Sequence, residues 1–453
     1  MAGSFINGKV YILNIIIHRG TRQIGGSCVE IGAGADRILL DLGLPLPTGD
    51  DEPDIAGQSV GALIALGVVP DISGVYVDCD PGVSAVIMSH VHQDHLGLAH
   101  FVHPAVPVYA TEGTWALHDV LQVFVPKDAT IATRRVLPKR QPITFGSLTV
   151  TAIPVDHSAP DAVALLVEVE GKRLLYSGDL RAHGRKAYLY DTLIQELAGS
   201  INVLLLEGTT IGRPNTEPVT EESLEHDMLS LLTQQEHFVL IFCSSQNLDR
   251  LVTIYRAVKR TRKLMVIDLY TAYTLDQIRC LSSHLPQWSW PEVRVVPWRY
   301  QQQRLIDAGK SAFIQETKQH WIGWKEMKAR KRDIVLLMRS NRKIGDFERE
   351  LGENVSEMQV IWSMWDGYWD QDKYIRPFCE KHGIVRSKLH TSGHASLTDL
   401  QRIAKELKPD LVVPIHTERA DDFDQYLANV RVLADGEVLH INVQTECSYL
   451  YHS

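Results

Sequence analysis

At 453 residues, with 45% hydrophobic and 22% charged residues, the chain has the proportions of a globular protein and is long enough to expect two domains rather than one core. No apolar run approaches the length needed to cross a bilayer, and six scattered cysteines (Cys28, Cys79, Cys243, Cys280, Cys379, Cys447) with no Cys-x-x-Cys argue against a disulfide framework or a thiolate zinc site and fit a cytoplasmic, reducing setting. The net charge of −9 speaks against a polyanionic partner, yet residues 250–343 hold 20 Lys and Arg against 7 Asp and Glu, the asymmetry expected where one region handles a polyanion.

The N-terminal "VYILNIII" runs straight into "HRGTRQIGG" with no small-residue cleavage pattern, so it reads as a strand and not a signal peptide. Further β-rich runs follow, most bounded by Gly, Asp or Pro: "SCVEIG", "DRILLDLG", "SAVIMSH", "VPVYAT", "LTVTAIPVD", "AVALLVEV", "KRLLYSGD" and "NVLLLEGT". "TEGTWALHDVLQ" among them has helical periodicity. From about residue 220, longer helices alternate with strands ("EESLEHDMLSLLTQQ", "HFVLIFC", "NLDRLVTIYRAVKR", "KLMVIDL"), which predicts a parallel sheet with covered faces. Eight of the nine tryptophans fall between Trp288 and Trp369. There "WSWPEVRVVPWRYQQQR" interleaves Trp288, Trp290, Trp298 and Tyr300 with Arg294, Arg299 and Arg304, the composition of a stacking groove for single strands, although tryptophan more often packs a core. "WDGYWD" is acidic and reads as packing or a subunit contact. From about residue 390 a β/α style returns in "SLTDLQRIAKEL", "DLVVPIH" and "VRVLADGEVLHI", so one domain is interrupted by another.

The densest chemistry is "VSAVIMSHVHQDHLGL", residues 83–98, in which His90, His92, Asp94 and His95 form His-x-His-x-Asp-His directly after an apolar strand. Alternation puts His90 and His92 on one side, and Asp94 and His95 follow where the chain turns, placed to serve a second ion. Imidazole with carboxylate suits zinc, or manganese at the harder end. A two-ion hydrolytic centre needs more ligands, and His157, Asp179 and His416 each follow an apolar run. Any one of them alone would more often be a satisfied structural residue; the dense cluster changes that.

Together with Asp41 in "LLDLG" and Asp179 in "YSGDLR", this set resembles the metallo-β-lactamase superfamily. The resemblance implies that His90, His92 and His157 hold one ion, that Asp94, His95 and His416 hold the other, that Asp179 bridges them, and that Asp41 supports the site without ligating. "LLLEGT" with Glu207, "TSGHAS" with His394 and "VPIHTE" with His416 resemble the three added motifs of the β-CASP nucleases, with the third-position histidine of RNA-processing members. "RQIGGSCVEI", "VDHSAPDA", "SGDLR", "SGHAS" and "PIHTE" look ribonuclease J-like, although the chain stops soon after "VRVLADGEVLHI", where a further C-terminal domain is usual. The implied fold is α/β: a metallo-β-lactamase αββα sandwich (residues 1–212 and 389–453) with an inserted β-CASP α/β domain at 213–388.

The function that follows is RNA phosphodiester hydrolysis, endonucleolytic, from the 5′ end, or both. Two divalent ions, zinc or manganese, would activate a hydroxide as nucleophile, Asp94 would belong to the catalytic set, and His394 would be the general acid, oriented and kept protonated by Glu207. "SLTD" reads as a capping box, with Ser396 at the N-cap and Asp399 three residues on, so Ser392, Gly393, His394 and Ser396 lie at a helix N-terminus, a natural seat for a substrate phosphate. Ser244, Ser245 and Arg250 in "CSSQNLDR" repeat that arrangement as a weaker phosphate contact. The rivals are a small-molecule hydrolase on the same scaffold and a non-catalytic RNA-binding subunit. A homo-oligomer is compatible with either, and a membrane partner is not expected.

Overall fold

The computed structural model describes residues 11–46, 55–125, 130–214 and 218–443; Cys447 lies outside them. Three sheets carry the described chain. The first has seven strands, in spatial order Val438–Val443, Tyr11–Arg19, Cys28–Ala33, Asp36–Leu40, Ala85–Ile87, Val108–Ala110 and Arg134–Val136. The second has six: Leu411–Ile415, Val203–Glu207, Lys172–Tyr176, Val163–Val169, Leu148–Pro154 and Pro142–Phe145.

These two sheets pack face to face because each strand alternates. Ile15, Ile17, Ile31, Ile38 and Ile87 of the first meet Val150, Leu165, Val167, Leu174 and Leu205 of the second in one dry core. The outer faces carry the other parity: Leu39 and Val86 lie against Leu63 and Trp115, while Leu166, Leu175 and Leu204 lie against the helices Tyr188–Leu197 and Leu397–Leu407. This is the helix–sheet–sheet–helix layering expected from the sequence.

The chain leaves the second sheet after Glu207 and returns to it at Leu411, pairing Val203–Glu207 with Leu411–Ile415 in parallel register. Between them it builds a third sheet, parallel throughout, in the order Val293–Val296, Leu264–Asp268, Ile334–Met338, Val239–Phe242, Gln359–Trp362 and Arg386–Lys388. Both its faces are covered, Val239 and Ile241 on one side and Leu240 and Phe242 on the other, which is why "HFVLIFC" reads as an uninterrupted apolar run. Each strand run and the helix Glu112–Phe124 stand where the sequence puts them. The strands Arg134–Val136 and Pro142–Phe145 are short edge strands, the first exposed and charged and the second turning only Ile143 and Phe145 inward, too little pattern to mark either in the sequence.

Candidate metal centre

The site residues come from strand ends that face one another. His90 follows Ala85–Ile87, His92 caps the short helix Gln93–Leu96 bearing Asp94 and His95, His157 follows Leu148–Pro154, and Asp179 follows Lys172–Tyr176. Glu207 ends its strand and His416 directly follows Leu411–Ile415. The loop carrying the histidine cluster is clamped by main chain: Ser27 N donates to Asp94 O at 3.0 Å, Leu42 N to His95 O at 2.8 Å and Leu44 N to Gln93 O at 2.9 Å. Gly43 is required for this approach, since a Cβ there would lie 1.8 Å from Asp94 O.

Every histidine except His92 has its outward nitrogen fixed. Ser89 Oγ gives its proton to Asp41 Oδ2 and lies 3.0 Å from His90 Nδ1; His95 Nδ1 donates to Asp41 Oδ2 at 2.7 Å. His157 Nδ1 donates to Gly393 O at 2.6 Å, and His416 Nδ1 stands 2.9 Å from Thr209 Oγ1. Such partners set tautomer and ring orientation. Asp41, fully buried, also accepts from Ser89 N and the Tyr176 hydroxyl, a set of bonds that offsets the several kcal/mol that burying a carboxylate costs. Asp41 and His416 both sit at positive φ, 60° and 50°, a left-handed conformation costing about 1–3 kcal/mol for a residue with a Cβ and typical of functional sites.

The inward atoms form two groups. His90 Nε2 is 3.1 Å from His92 Nδ1, which is 3.2 Å from His157 Nε2. A tetrahedral ion with metal–nitrogen bonds of about 2.0–2.1 Å separates its ligands by about 3.3 Å, so this spacing suits a shared cation. Across from them, Asp94 Oδ2 lies 3.3 Å from His416 Nε2 and 4.0 Å from His95 Nε2. Asp179 stands between the groups, its Oδ2 3.2 Å from His95 Nε2, 3.7 Å from His90 Nε2 and 3.8 Å from His157 Nε2. The two groups and a third, of Asp179, His394 and His416, each gather their donor atoms within 4.8 Å.

Electrostatics agree with cation binding. Burial first, and then neighbouring imidazoles, push the His90 pKa well below its usual value, and burial likewise lowers His92 and His157, leaving neutral rings with free lone pairs. Burial opposes charge on His95 too, but Asp179, Asp41 and Asp94 outweigh it and raise its pKa. His95 Nε2, Asp179 Oδ1 and His394 Nδ1 are buried with no hydrogen-bond partner. Unsatisfied buried donors and acceptors in such density fit a site that binds divalent metal.

Beside this centre Glu207 is held by three backbone donors, Leu180 N, Thr209 N and Ala395 N, at 3.1–3.5 Å. His394 Nδ1 lies 3.4 Å from Glu207 Oε1 and 3.7 Å from Asp179 Oδ2, an attraction of charge without an aligned hydrogen bond. Against the cost of burial, these two carboxylates raise the His394 pKa to about 9. His394, at 21% side-chain exposure, Asp94, at 16%, and His92 are the part-exposed members of the cluster.

The anion-binding expectations divide. Ser396 and Asp399 form the capping box read from "SLTD", but the Ser396 hydroxyl is thereby occupied at both ends. Gly393 is demanded by Ser158, whose Oγ would lie 2.7 Å from a Cβ, rather than by a phosphate. Ser392 Oγ accepts from His394 N at 3.0 Å, and Ser244 remains exposed. Ser245 is buried against Thr271 at 2.8 Å. Arg250 is a correction: it has no exposed surface and is bound to Glu221, Ser363 and Leu389 O, and breaking such a buried pair costs about 3–5 kcal/mol. It cannot reach a substrate.

The basic run differs: Lys263 donates to Gln235 O, but Arg256 and Arg260 on Glu225 and Lys259 near Glu292 are exposed surface pairs. Trp288 packs on Phe313 and His320, Trp290 on Tyr255, and Lys343 lies over Trp298, so the three tryptophans build no stacking groove, while Tyr300 is exposed. Sequence reasoning missed Arg181. Fully buried, it donates to Ser392 O, Asp156 and Asp249, tying the Asp179 turn to the His394 segment and the inserted sheet's helices. The one hint was the arginine in "SGDLR".

Residues 77–228 match a family described as beta-lactamase superfamily domain, and residues 382–435 one described as Zn-dependent metallo-hydrolase RNA specificity domain. The chain is 22% identical over 419 residues to ribonuclease J of Helicobacter pylori (strain ATCC 700392 / 26695), covering 88% of this chain and 55% of that one. To an RNase J-like protein of Methanocaldococcus jannaschii it is 23% identical over 441 residues, 89% and 92% of the two chains. To ribonuclease J2 of Bacillus subtilis (strain 168) it is 22% identical over 461 residues, 95% and 76%. The chain thus spans about half the length of the Helicobacter relative. A crystal structure of a protein of unknown function from Enterococcus faecalis V583 shares the fold, with a TM-score of 0.77 at 24% identity over 95% of this chain and 100% of that one.

Proposed function

We propose, because the chain belongs to the metallo-β-lactamase superfamily in its ribonuclease J-like β-CASP branch, that it is a metal-dependent phosphodiesterase cutting single-stranded RNA. One observation carries this reading: seven metal-binding side chains from distant strand ends meet, with the Glu207–His394 pair beside them. His90, His92 and His157 would hold one divalent ion, Asp94, His95 and His416 a second, and Asp179 both; zinc suits the nitrogen-rich set and manganese is the alternative. A bound pair of cations supplies an activated water and neutralises charge on the phosphodiester.

The remaining work belongs to the chain. The Thr209 hydroxyl and the Gly393 carbonyl aim the inward nitrogens of His416 and His157, and Asp41 orients His95, whose inward nitrogen would exchange its proton for a cation. His394 turns Nδ1 to Glu207 and Asp179, so Nε2 is the nitrogen free to hand a proton to the leaving oxygen. We place the protein in the cytoplasm: the five cysteines among the described residues are unpaired, and no described helix is long and apolar enough to cross a membrane.

The test is incubation of zinc- or manganese-loaded protein with end-labelled 5′-monophosphate, 5′-triphosphate and circular RNAs. Cleavage of the linear strands supports the reading, and cleavage of the circle adds an internal cut. Inert RNAs beside rapid hydrolysis of a small chromogenic ester would replace it with a small-molecule hydrolase.

A further inference from the structure

The acidic stretch "WDGYWD" is built differently from the other aromatic segments. Trp362, fully buried, ends the strand Gln359–Trp362, and its Nε1 donates to Trp365 O at 3.3 Å. Trp369 packs on Trp362 with ring centres 5.1 Å apart, and Arg386 lies over the Trp369 ring at 4.5 Å. Asp366 is neutralised by Arg386 at 2.8 Å and Lys388 at 2.5 Å. Gly367 leaves room for an indole: a Cβ there would stand 2.1 Å from the Trp365 ring. The turn is therefore braced from beneath, while Trp365 at 52% and Tyr368 at 57% exposure keep their rings in water, edge to face with centres 5.5 Å apart.

Its root is bonded to the catalytic segment. Leu389 N donates to Trp362 O at 3.1 Å and the Ser363 hydroxyl donates to Leu389 O at 2.5 Å, five residues before His394. Partial desolvation and then the charge of Asp94 raise the Tyr368 pKa, in keeping with that connection.

We propose that Trp365 and Tyr368, their rings perpendicular, form a preassembled corner for one nucleobase of the RNA strand whose phosphate lies at the metal centre, one ring stacking on the base and the other bordering its edge, an inference that rests on the ribonuclease reading above. A base needs a flat, wet, apolar face, and every base has one to offer in return, so such a corner grips the strand without reading its sequence. Rings fixed beforehand lose little freedom when the base arrives. Asp366, the acid next to Trp365, is already paired to two cations and does not repel the phosphate backbone, whereas Asp370 is exposed and faces Arg376 at 4.0 Å.

The test measures the Kd of a fluorescent phosphorothioate RNA decamer for the full chain, together with KM for cleavage of its natural-backbone counterpart. Tyr368→Ala and Trp365→Ala should each weaken binding by roughly five- to a hundredfold, the range for one lost base stack. Tyr368→Phe, which keeps the face, should bind as the parent does. In a series of decamers each carrying one abasic nucleotide, one position should weaken binding to the parent and be silent in Tyr368→Ala. Unchanged Kd in the alanine variants, equal losses for Phe and Ala, or a parent dimer that dissociates in Trp365→Ala with RNA affinity intact would each overturn the proposal. RNA that is cut with an unaltered KM in Tyr368→Ala defeats this inference alone. RNA that is bound through Tyr368 yet never cut defeats the hydrolytic reading alone.

Discussion

The two halves of the metal centre are made of different material. The His90–His92–His157 group offers nitrogen only, with neighbouring donors 3.1 and 3.2 Å apart and rings that burial keeps neutral. The Asp94–His95–His416 group mixes nitrogen with carboxylate, is looser at 3.3 and 4.0 Å, and is part-exposed at Asp94. Burial and neighbouring imidazoles prepare the first for a cation, whereas carboxylates organise the second. We expect the two halves to differ in how tightly they hold an ion.

The most damaging change should be Asp179→Ala, since this carboxylate stands beside both groups; we expect turnover to vanish and metal content to fall in both halves, with the fold checked by circular dichroism. Unchanged metal content would break the comparison at its hinge. His394→Ala should lower kcat by about 10²–10⁴-fold, the usual worth of a general acid, with metal content retained. A lost metal equivalent would instead make His394 a ligand, as the Asp179–His394–His416 grouping allows. Asp41→Asn removes the charge that orients His95 and should cost about 10- to 100-fold in metal affinity, more in the carboxylate half than in the imidazole half, which Asp41 reaches only through Ser89 and His90.

The smallest effect is one of pH. Glu207 and Asp179 lift His394 to about 9, so its acid form persists into alkaline solution. Glu207→Gln should move the descending alkaline limb of the kcat profile to lower pH, and a limb that stays in place would remove Glu207 from that role.

Much of this was legible in the sequence. The histidine cluster declares itself because four donors in six positions have no structural reason to be there. The strands could be read because both faces of the sheets are covered, which makes runs such as Val163–Val169 and Val203–Glu207 almost wholly apolar, and the capping box at Ser396 is local chemistry. What escaped depends on distant partners. Nothing near Arg250 announces that Glu221 and Ser363 enclose it, and nothing near Arg181 announces Ser392 or Asp249. The segment densest in tryptophan offered a groove or a core, and its tryptophans pack; the exposed Trp365 and Tyr368 lie in a motif whose acidity pointed elsewhere.

Elemental analysis of purified protein asks most directly whether one pair of cations joins these seven side chains. We expect about two equivalents of divalent metal per parent chain and about one in Asp94→Ala, the survivor held by three imidazoles. A parent that carries none after exposure to zinc and manganese, or an Asp94→Ala variant that carries as much as the parent, would contradict it.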